Sequence, residues 1–385
     1  MSDIPPFTLI ITDLSTRKAF DLANIMRTKG VDLLLCDDID GISGLLLQTA
    51  YRGKIERLRK GEHFTSDLHA IVEKYADRKL VYIPIEEDTT LQVYDFLSEK
   101  RVENFYHNLP PKEAFDTVRD KGKFAAFCER HEIPIPKTFT CEALRKQKTL
   151  PAPLIFKPVS GSGSAGIRFV DTKEVLIEAC ESLPMERYLI QERLENPQAV
   201  EGGFFLFDAG KPVAYYGHKR IRTYPETGGV SVYSRCALQP RLQKLGETVL
   251  EKLGWSGLAM VEFLYDPKSK AYKVIEINPR LWGSLMLSEF CGSEMLLNYC
   301  LSALKLPTCK ADIREDRYLR WFFPWDVLGY IRKRGRIEGF WRRNAANTCY
   351  INFSYTGYFP ASLFTLYNLL DPAKWTKFRQ KVLGR

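Results

Sequence analysis

The start of the chain alternates between two hydrophobic patterns. FTLIITD and VDLLLCD are short apolar runs typical of buried strands, and residues 16–29 between them place apolar side chains at helical spacing up to Gly30. A strand, a helix and a strand in this order form a βαβ unit, whose strands lie parallel in one sheet. We therefore expect an N-terminal α/β domain built on a parallel sheet. The run KLVYIPIEED predicts a later strand that ends in a loop at the edge of a cleft.

The turn after the first strand reads TDLSTRK. A dinucleotide-binding βαβ unit carries the pattern GxGxxG at this turn, because its glycines let the backbone approach the pyrophosphate. This turn contains no glycine, so the sequence disfavours nucleotide binding by the first domain.

Two changes in sequence character divide the chain into three predicted parts. Near Pro110 the sequence passes into RDKGKFAAFCERHEIPIPKTF, a predicted helix closed by Pro134 and Pro136, and then into a strand-rich region. Beyond Leu306 it becomes basic and aromatic. The predicted parts are a parallel-sheet domain at 1–110, an α+β domain at 111–306 and a helical C-terminal segment at 307–385.

A loop rich in glycine and serine, residues 160–166, follows the predicted strand LIFKP and precedes a second apolar run. Glycines let the backbone approach phosphate oxygens, serines add hydrogen-bond donors, and Lys157 in the strand adds a positive charge. Because the loop joins two strands and feeds no helix, it is not a Walker loop. The same composition is also that of an ordinary turn, so the loop alone leaves phosphate binding open.

The runs GLAMVEFLY and YKVIEIN flank the turn-rich sequence DPKSKA and predict a β-hairpin. Pairing about its centre puts Glu262 roughly opposite Glu276, and Asn278 shares the face of Glu276 because side chains alternate along a strand. Two carboxylates and an amide oxygen on one face are hard ligands suited to Mg²⁺ that bridges nucleotide phosphates. The alternative is a hairpin with solvated acids, but isolated charge inside apolar runs is costly.

Together these motifs resemble the ATP-grasp superfamily, and within it the carboxylate–amine ligases. The resemblance covers residues 115–304, and the α/β domain that such enzymes carry ahead of the ATP-grasp domain fits the predicted parallel sheet. It implies that a lysine in a D-K pair at a helix start reaches the ATP phosphates. That lysine is Lys121 in RDKGKF, with Lys123 as the alternative. Further phosphate contacts fall on Lys157, Ser160, Gly161, Ser162, Gly163, Ser164 and Gly166.

The resemblance also assigns a hinge that lies along adenine and a metal site. In YLIQERLENPQAVEGGFF, Gln191 would approach the exocyclic amine, with Glu192, Arg193 and Leu194 beside it and Glu201 at the ribose hydroxyls. An exposed loop is the alternative for this segment. The pattern E…E-x-N-x-R places the metal ligands at Glu262, Glu276 and Asn278 and its arginine at Arg280. Arg280 and Lys157 are the catalytic residues that the resemblance implies. Arg280 would face the substrate carboxylate and the acyl phosphate.

The segment YYGHKRIRTYPETGGVSVYS resembles a strand and loop that contact the acceptor in ligases acting on amino acids. The residues it implies for substrate binding are His218, Arg220, Arg222, Gly228 and Gly229, together with Gly283 and Ser284 after Arg280. His218 is equally compatible with a buried core histidine and Arg222 with a solvated arginine. Trp282 either lines the same region or belongs to the core.

The resemblance implies a ligase that joins a carboxylate to an amine or a thiol, with an amino-acid-related acceptor. ATP would phosphorylate the carboxylate, the nucleophile would attack the acyl phosphate, and the Ser/Gly loop would exclude water. ATP and Mg²⁺ are the implied cofactors, with two metal ions expected and Mn²⁺ as the alternative metal. The competing interpretations are an ATP-grasp kinase acting on a small molecule and a non-catalytic nucleotide-binding protein.

The positive charge is concentrated at the C-terminal end. Residues 311–385 carry 14 Lys and Arg against 6 Asp and Glu, whereas residues 1–310 carry 42 against 41. A helix predicted over 325–343 combines aromatic and aliphatic residues with arginines, as helices in an anionic membrane interface do. The alternatives are a helical cap with solvated arginines and a protein partner. Nucleic acid is disfavoured because the aromatic residues come in apolar blocks.

The nine cysteines are scattered and form no paired CxxC or Cys/His metal pattern. We therefore expect free and mostly buried thiols. The N-terminal sequence MSDIPPFTLIITD lacks the basic start and long apolar run of a signal peptide. These features predict a cytoplasmic protein, with peripheral association at the inner membrane face as a variant of that prediction.

Overall fold

The computed structural model describes residues 5–161, 166–194, 200–224, 230–342, 346–351 and 358–370. Three sheets run through these described residues: a five-stranded first sheet, a four-stranded small sheet and a seven-stranded large sheet. The mixed α/β class predicted from the sequence is confirmed. The predicted boundaries at 110 and 306 stay predictions.

The first sheet is parallel throughout, with strand order β3-β2-β1-β4-β5. Its strands are β1 (Thr8–Ile11), β2 (Asp32–Asp37), β3 (Ile55–Arg57), β4 (Leu80–Tyr82) and β5 (Phe105–Tyr106), and its helices are α1 (Arg17–Thr28), α2 (Gly41–Tyr51), α3 (Phe64–Lys74) and α4 (Glu87–Glu99). Thr16 caps α1 by accepting a hydrogen bond from the backbone N–H of Ala19. The predicted βαβ start is confirmed. The carboxyl ends of β1 and β4, between which the strand order reverses, face the rest of the chain at Leu281, whose N–H binds the Pro84 carbonyl at 3.0 Å.

The small sheet is antiparallel, with strand order β6-β9-β7-β8. The elements leading into it and forming it are α5 (Lys112–Arg119), α6 (Lys121–Arg130), β6 (Thr138–Phe139), α7 (Cys141–Arg145), β7 (Leu154–Pro158), β8 (Arg168–Val170), α8 (Lys173–Ser182) and β9 (Tyr188–Glu192). The helix predicted ahead of Pro134 is α6. The strands predicted around the glycine-rich loop are β7 and β8.

The large sheet has the order β14-β13-β10-β11-β12-β15-β16. Its elements are β10 (Glu201–Asp208), β11 (Lys211–Tyr224), β12 (Val230–Cys236), α9 (Pro240–Lys252), β13 (Gly257–Asp266), β14 (Ala271–Asn278), α10 (Leu285–Phe290), α11 (Met295–Ala303), β15 (Tyr318–Arg320) and β16 (Thr348–Tyr350). All pairs are antiparallel except β15 with β16. Two strands of the C-terminal segment therefore extend the sheet that carries the predicted metal hairpin.

The prediction of one long helix over 325–343 is wrong. A short π-helical turn at Phe322–Asp326 leads into α12 (Val327–Arg332), which has six residues. Arg334, Gly335 and Gly339 then adopt positive φ angles of 51°, 77° and 64°. Left-handed backbone cannot continue a right-handed helix, so the chain turns repeatedly here.

The last described helix, α13 (Tyr358–Leu370), packs against the first domain. The ring of Phe364 stacks on Phe20 of α1 at 4.3 Å and meets Tyr51 of α2 edge-on at 6.4 Å. The same buried core includes Trp282 and Leu296. The C-terminal segment is thus part of the packed structure and not an appendage.

The expectation that the thiols are free is wrong for one pair. Cys141 of α7 and Cys180 of α8 form a disulfide, with Cα atoms 6.2 Å apart. Both helices pack on the core of the small sheet through Leu144 and Leu176, which brings together cysteines 39 residues apart. Among the described residues the remaining cysteines lie outside this disulfide, and Cys309 alone of these is exposed.

No helix within the described ranges is both long and apolar enough to cross a bilayer.

Candidate active site

The hairpin of β13 and β14 carries the acidic residues singled out in the sequence. Glu262 and Glu276 are direct cross-strand partners, and Met260 lies opposite Asn278. The Asn278 amide donates a hydrogen bond to Glu276 Oε1 at 3.3 Å. The predicted pairing of the two carboxylates is confirmed, and strand alternation puts Asn278 on the face of Glu276.

Glu262 is largely buried, with its side chain 15% exposed. It accepts a hydrogen bond from the guanidinium of Arg220, which reaches it from β11. Burial raises the pKa of Glu262, Arg220 opposes that rise, and the negative charge of Glu276 adds to it. A second positive charge at this place would therefore stabilise both carboxylates.

Lys157 of β7 lies in the field of the same carboxylates. Burial lowers the pKa of its ammonium, Glu276 and Glu262 favour the charged form, and the nearby Lys121 disfavours it. The Nζ of Lys157 donates to Gln191 Oε1 at 3.2 Å. The small sheet and the large sheet thus contribute to one cluster of charges.

The start of α6 faces the glycine-rich loop. Asp120 caps the helix by accepting from the N–H groups of Gly122 and Lys123. Lys121 Nζ donates to the Gly161 carbonyl at 2.9 Å, and its N–H binds the Val159 carbonyl at 2.9 Å. Lys121, and not Lys123, is therefore the lysine directed at the loop.

Parts of this loop can be placed. Ser160 is exposed, and Gly161 and Gly166 have φ angles of 100° and 74°, which side chains rarely adopt. A Cβ on Gly166 would meet the ring of Pro158 at 2.9 Å. Ser162, Gly163 and Ser164 lie outside the described residues.

Most of the residues assigned to the adenine hinge have side chains that are hydrogen-bonded, ion-paired or buried within the protein. Gln191 is buried and its amide also donates to the Pro136 carbonyl at 3.3 Å. Glu192 pairs with Lys273 and Arg193 with Asp171 at 2.5 and 2.6 Å. Leu194 is buried, and Glu201 is buried while accepting from Gln239 at 2.8 Å and Tyr272 at 3.1 Å.

Arg280 connects the hairpin to the first domain. Its Nη2 donates to Asn278 Oδ1 at 2.8 Å and its Nε to Glu87 Oε1 at 3.2 Å. Glu87 begins α4, directly after the loop that follows β4. The guanidinium therefore stands between the predicted metal ligands and the carboxyl edge of the first sheet.

Sequence reasoning missed two cations that the first domain adds beside Arg280. Lys18 of α1 donates to the Ile85 carbonyl and pairs with Glu86, both at 2.8 Å. Burial and the charge of Arg280 lower the pKa of Lys18 to about 8. Arg17 donates to the Gly283 carbonyl and stacks on Trp321 at 4.2 Å. Both follow the carboxyl end of β1, where open α/β sheets bind ligands, and that position was the available signal.

The predicted substrate residues His218 and Arg222 lie in different surroundings. His218 is buried, hydrogen bonds through Nδ1 to Ser284 Oγ at 3.0 Å, and has a pKa lowered to about 3 by burial. Its Nε2 has no hydrogen-bond partner among the described residues. Arg222 instead binds Asp326 of the C-terminal segment through two hydrogen bonds of 2.8 and 2.7 Å. Gly228 and Gly229 lie outside the described residues, and Trp282 is a core residue that donates to Tyr216 at 2.8 Å.

The donor set of the hairpin suits magnesium. The described part of the chain contains no group of three or more His, Cys, Asp and Glu residues that could hold a metal ion between them. Two carboxylates and an amide oxygen are nonetheless a sufficient protein contribution, because Mg²⁺ keeps waters and takes substrate phosphates as its other ligands. The half-buried, mutually repelling pair of Glu262 and Glu276 fits a divalent cation.

Comparison with known proteins finds a family match for the middle of the chain. Residues 118–284 match the family described as the ATP-grasp domain. This chain contains an ATP-grasp domain. The matched residues include the glycine-rich loop, the hinge and the complete hairpin, so the resemblance stated from the sequence is confirmed.

Individual relatives of this chain are distant. The mitochondrial acetyl-CoA carboxylase of Saccharomyces cerevisiae is 25% identical over 221 residues, which are 55% of this chain and 9% of that protein. The alpha-aminoadipate–LysW ligase LysX of Saccharolobus solfataricus is 27% identical over 181 residues, 44% of this chain and 64% of LysX. The chain thus spans only 9% of the length of the carboxylase.

A solved structure shows the same fold. Biotin carboxylase of Campylobacter jejuni, crystallised as a β-γ-ATP complex, superposes with a TM-score of 0.62 at 15% identity, covering 83% of this chain and 75% of that one. The similarity therefore extends beyond the ATP-grasp domain into the parallel-sheet domain before it.

Proposed function

We propose that this chain is an ATP- and Mg²⁺-dependent ligase that joins a carboxylate to an amine through an acyl phosphate. The observation that carries the proposal is the meeting of Glu262, Glu276 and Lys157, drawn from two sheets, in one half-buried cluster. Structural packing does not require two in-register acids in a buried hairpin. Triphosphate binding does require cations and a metal at one place.

The nucleotide phosphates lie between the small sheet and the hairpin. Lys121 and Lys157 hold phosphate oxygens, and Lys121 lies beside Gly161 of the glycine-rich loop. Glu262, Glu276 and Asn278 would hold Mg²⁺, which neutralises charge on the phosphate oxygens when bound. One or two ions fit this donor set, and Mn²⁺ accepts the same ligands.

The carboxylate substrate lies at the junction with the first domain. Lys18 and Arg280 are close enough to interact here, one on α1 and the other just after β14. Their mutual repulsion is relieved by an anion placed between them. Glu86 and Glu87 hold the two cations in position until the substrate carboxylate arrives.

The reaction balances without a further reagent. A carboxylate oxygen attacks the γ-phosphorus, the bond to the ADP oxygen breaks, and an acyl phosphate forms. The amine then attacks the carbonyl carbon, phosphate leaves, and the ammonium proton passes to solvent. The products are an amide, ADP and phosphate.

The similarity to LysX, whose name describes a ligase for alpha-aminoadipate, supports an amino-acid-related substrate. The orphan Nε2 of neutral His218 and the guanidinium of Arg220 are two polar groups of the large sheet that we assign to such a molecule. A thiol nucleophile would follow the same first step, and a kinase would stop after it.

Hydroxylamine trapping tests the proposal directly. The full chain is supplied with ATP, Mg²⁺ and pooled amino and dicarboxylic acids, and hydroxamate, ADP and phosphate are measured. A ligase gives hydroxamate and phosphate in equal amounts, a kinase gives ADP with a stable phosphorylated product, and a binding protein gives none of these. Absence of carboxylate-dependent hydroxamate across the pools would sink the ligase assignment.

Glu276→Gln provides the matching variant. It removes one metal-binding carboxylate, so we expect turnover to fall by at least about a hundredfold. Glu251→Gln, an exposed glutamate on α9, is the control and should keep wild-type turnover. Equal activity of both variants would show that the metal site lies elsewhere.

A further inference from the structure

The segment from Phe322 to Arg342 has a buried side that fixes it to the large sheet. Asp326 is 1% exposed and accepts hydrogen bonds from Arg222 of β11 and Arg320 of β15. Phe340 is buried, and its ring stacks on the ring of Tyr330 at 4.2 Å. The segment is therefore held in a defined conformation, and the side chains on its outward side do not belong to the core.

The outward side combines apolar and basic groups. Phe323, Ile331 and Trp341 are 61, 63 and 65% exposed, which is unusual for large apolar side chains in one short segment. The basic side chains Arg332, Lys333, Arg334, Arg336 and Arg342 are exposed on the same stretch. We call these eight residues the basic aromatic face. Glu338 is an exposed acid on this stretch and offsets one of the five positive charges.

We propose that the basic aromatic face docks on an anionic membrane surface. A bilayer interface accepts tryptophan, phenylalanine and isoleucine at headgroup depth while anionic lipids attract lysine and arginine. Each basic side chain near such a surface strengthens the binding. A face with both kinds of residue matches peripheral attachment. No helix in the described ranges is long and apolar enough to span a membrane.

Charge decides against the other occupants. A second copy of the chain would bring the same basic residues against their own kind, because a twofold interface pairs identical patches. Residues 371–385, which follow α13, carry five Lys and Arg against one Asp, so their charge also repels the face. Single-stranded nucleic acid would use the charges and Trp341 but leave Ile331 without a role.

The proposal is independent of the proposed function, because membrane binding needs no turnover. The test is co-sedimentation of the full chain with vesicles of phosphatidylcholine alone and of phosphatidylcholine and phosphatidylglycerol in equal parts. We expect binding to the second composition only, and its loss between about 0.1 M and 1 M salt. Absence of binding, or equal binding to both compositions, would overturn the proposal.

Three double variants locate the binding surface. Arg332→Glu with Arg336→Glu should weaken the partition coefficient at least about tenfold, and Ile331→Ser with Trp341→Ser should do the same without changing charge. Lys244→Glu with Lys252→Glu, on exposed positions of α9, is the control with the same charge change and should stay within about twofold. Thermal unfolding confirms that each variant is folded, and turnover on soluble substrates should be unchanged.

Two results would contradict the assignment of this face. One is an equal loss in the α9 control, which would mean that net charge alone drives binding. The other is strong binding of a single-stranded RNA oligonucleotide that the face variants abolish while vesicle binding persists.

Discussion

The guanidinium of Arg220 is bound to Glu262, the carboxylate that lies directly opposite Glu276 in the β13–β14 hairpin. A cation of the protein thus balances part of the charge at the place where the fold would take a metal. A divalent cation would do the same more strongly, so under the proposed function Arg220 and Mg²⁺ would share one carboxylate.

Removing Arg220 should make the chain depend on metal for stability. In Arg220→Met, Glu262 is left buried without its counter-charge, so the free energy of unfolding should fall by about 3 kcal/mol in EDTA. Mg²⁺ should raise the melting temperature of this variant more than that of the wild type. The double variant Arg220→Met, Glu262→Gln should recover most of the loss, because neither buried charge remains. An identical Mg²⁺ response in all three proteins would argue that Glu262 binds no metal.

Lys121 and Lys123 provide a matched pair for the phosphate contact. Lys121 reaches the Gly161 carbonyl, whereas Lys123 is exposed. Lys121→Met should raise the KM for ATP by at least about tenfold, since one charge-assisted hydrogen bond is worth about 1.5–3 kcal/mol. Lys123→Met should leave the KM for ATP within about twofold. The reverse order would assign the phosphate contact to Lys123.

Lys18 should give the reaction a basic pH limit. Its pKa is lowered from 10.5 to about 8, so the ammonium loses its proton as pH rises through about 8. If the ammonium holds the substrate carboxylate, kcat/KM for the carboxylate falls above that pH, while Lys18→Arg stays charged and keeps a flat profile there. A wild-type profile that matches the Lys18→Arg profile would contradict this role.

The same shift has a consequence for stability. The unfolded chain keeps the Lys18 proton up to about pH 10.5 and the folded chain only up to about 8, so the unfolded state binds more protons in this window. The free energy of unfolding, relative to Lys18→Met, should therefore rise between these two pH values. Denaturant titrations at about pH 7.5, just below this window, and at about pH 9.5, within it, measure the sign of the change in the free energy of unfolding.

Asp326 should be a stability residue and not a catalytic one. It is the shared acceptor of Arg222 and Arg320, and Asp326→Asn would leave two largely buried cations without their carboxylate. We expect a loss of about 3 kcal/mol in the free energy of unfolding, with an unchanged KM for ATP. Asp316→Asn, at an exposed position of the same segment, should change the free energy of unfolding by less than about 0.5 kcal/mol. A normal stability for Asp326→Asn would mean that the Arg222 pair contributes nothing to the fold.

The local patterns of the sequence determined the elements that carry the chemistry. The βαβ start and the register of Glu262 with Glu276 follow from hydrophobic period and turn position, which are properties of neighbours in the chain, and the family resemblance added the helix start at Asp120 and Lys121. Strand alternation alone was enough to put Asn278 beside Glu276.

Only the tertiary structure decided which distant residues meet. Lys18 and Arg280 are 262 positions apart in the sequence. Nothing in the sequence around either residue predicts that the carboxyl edge of the first sheet lies against the end of the β13–β14 hairpin. The same holds for the disulfide of Cys141 with Cys180 and for Arg222 with Asp326. The long helix predicted over 325–343 was wrong because composition favoured it, while left-handed backbone at Gly335 and Gly339 and the burial of Phe340 against the sheet gave a better-packed alternative. Period and capping act over a few residues, whereas the packing of three sheets in the described residues selects pairs across the whole chain.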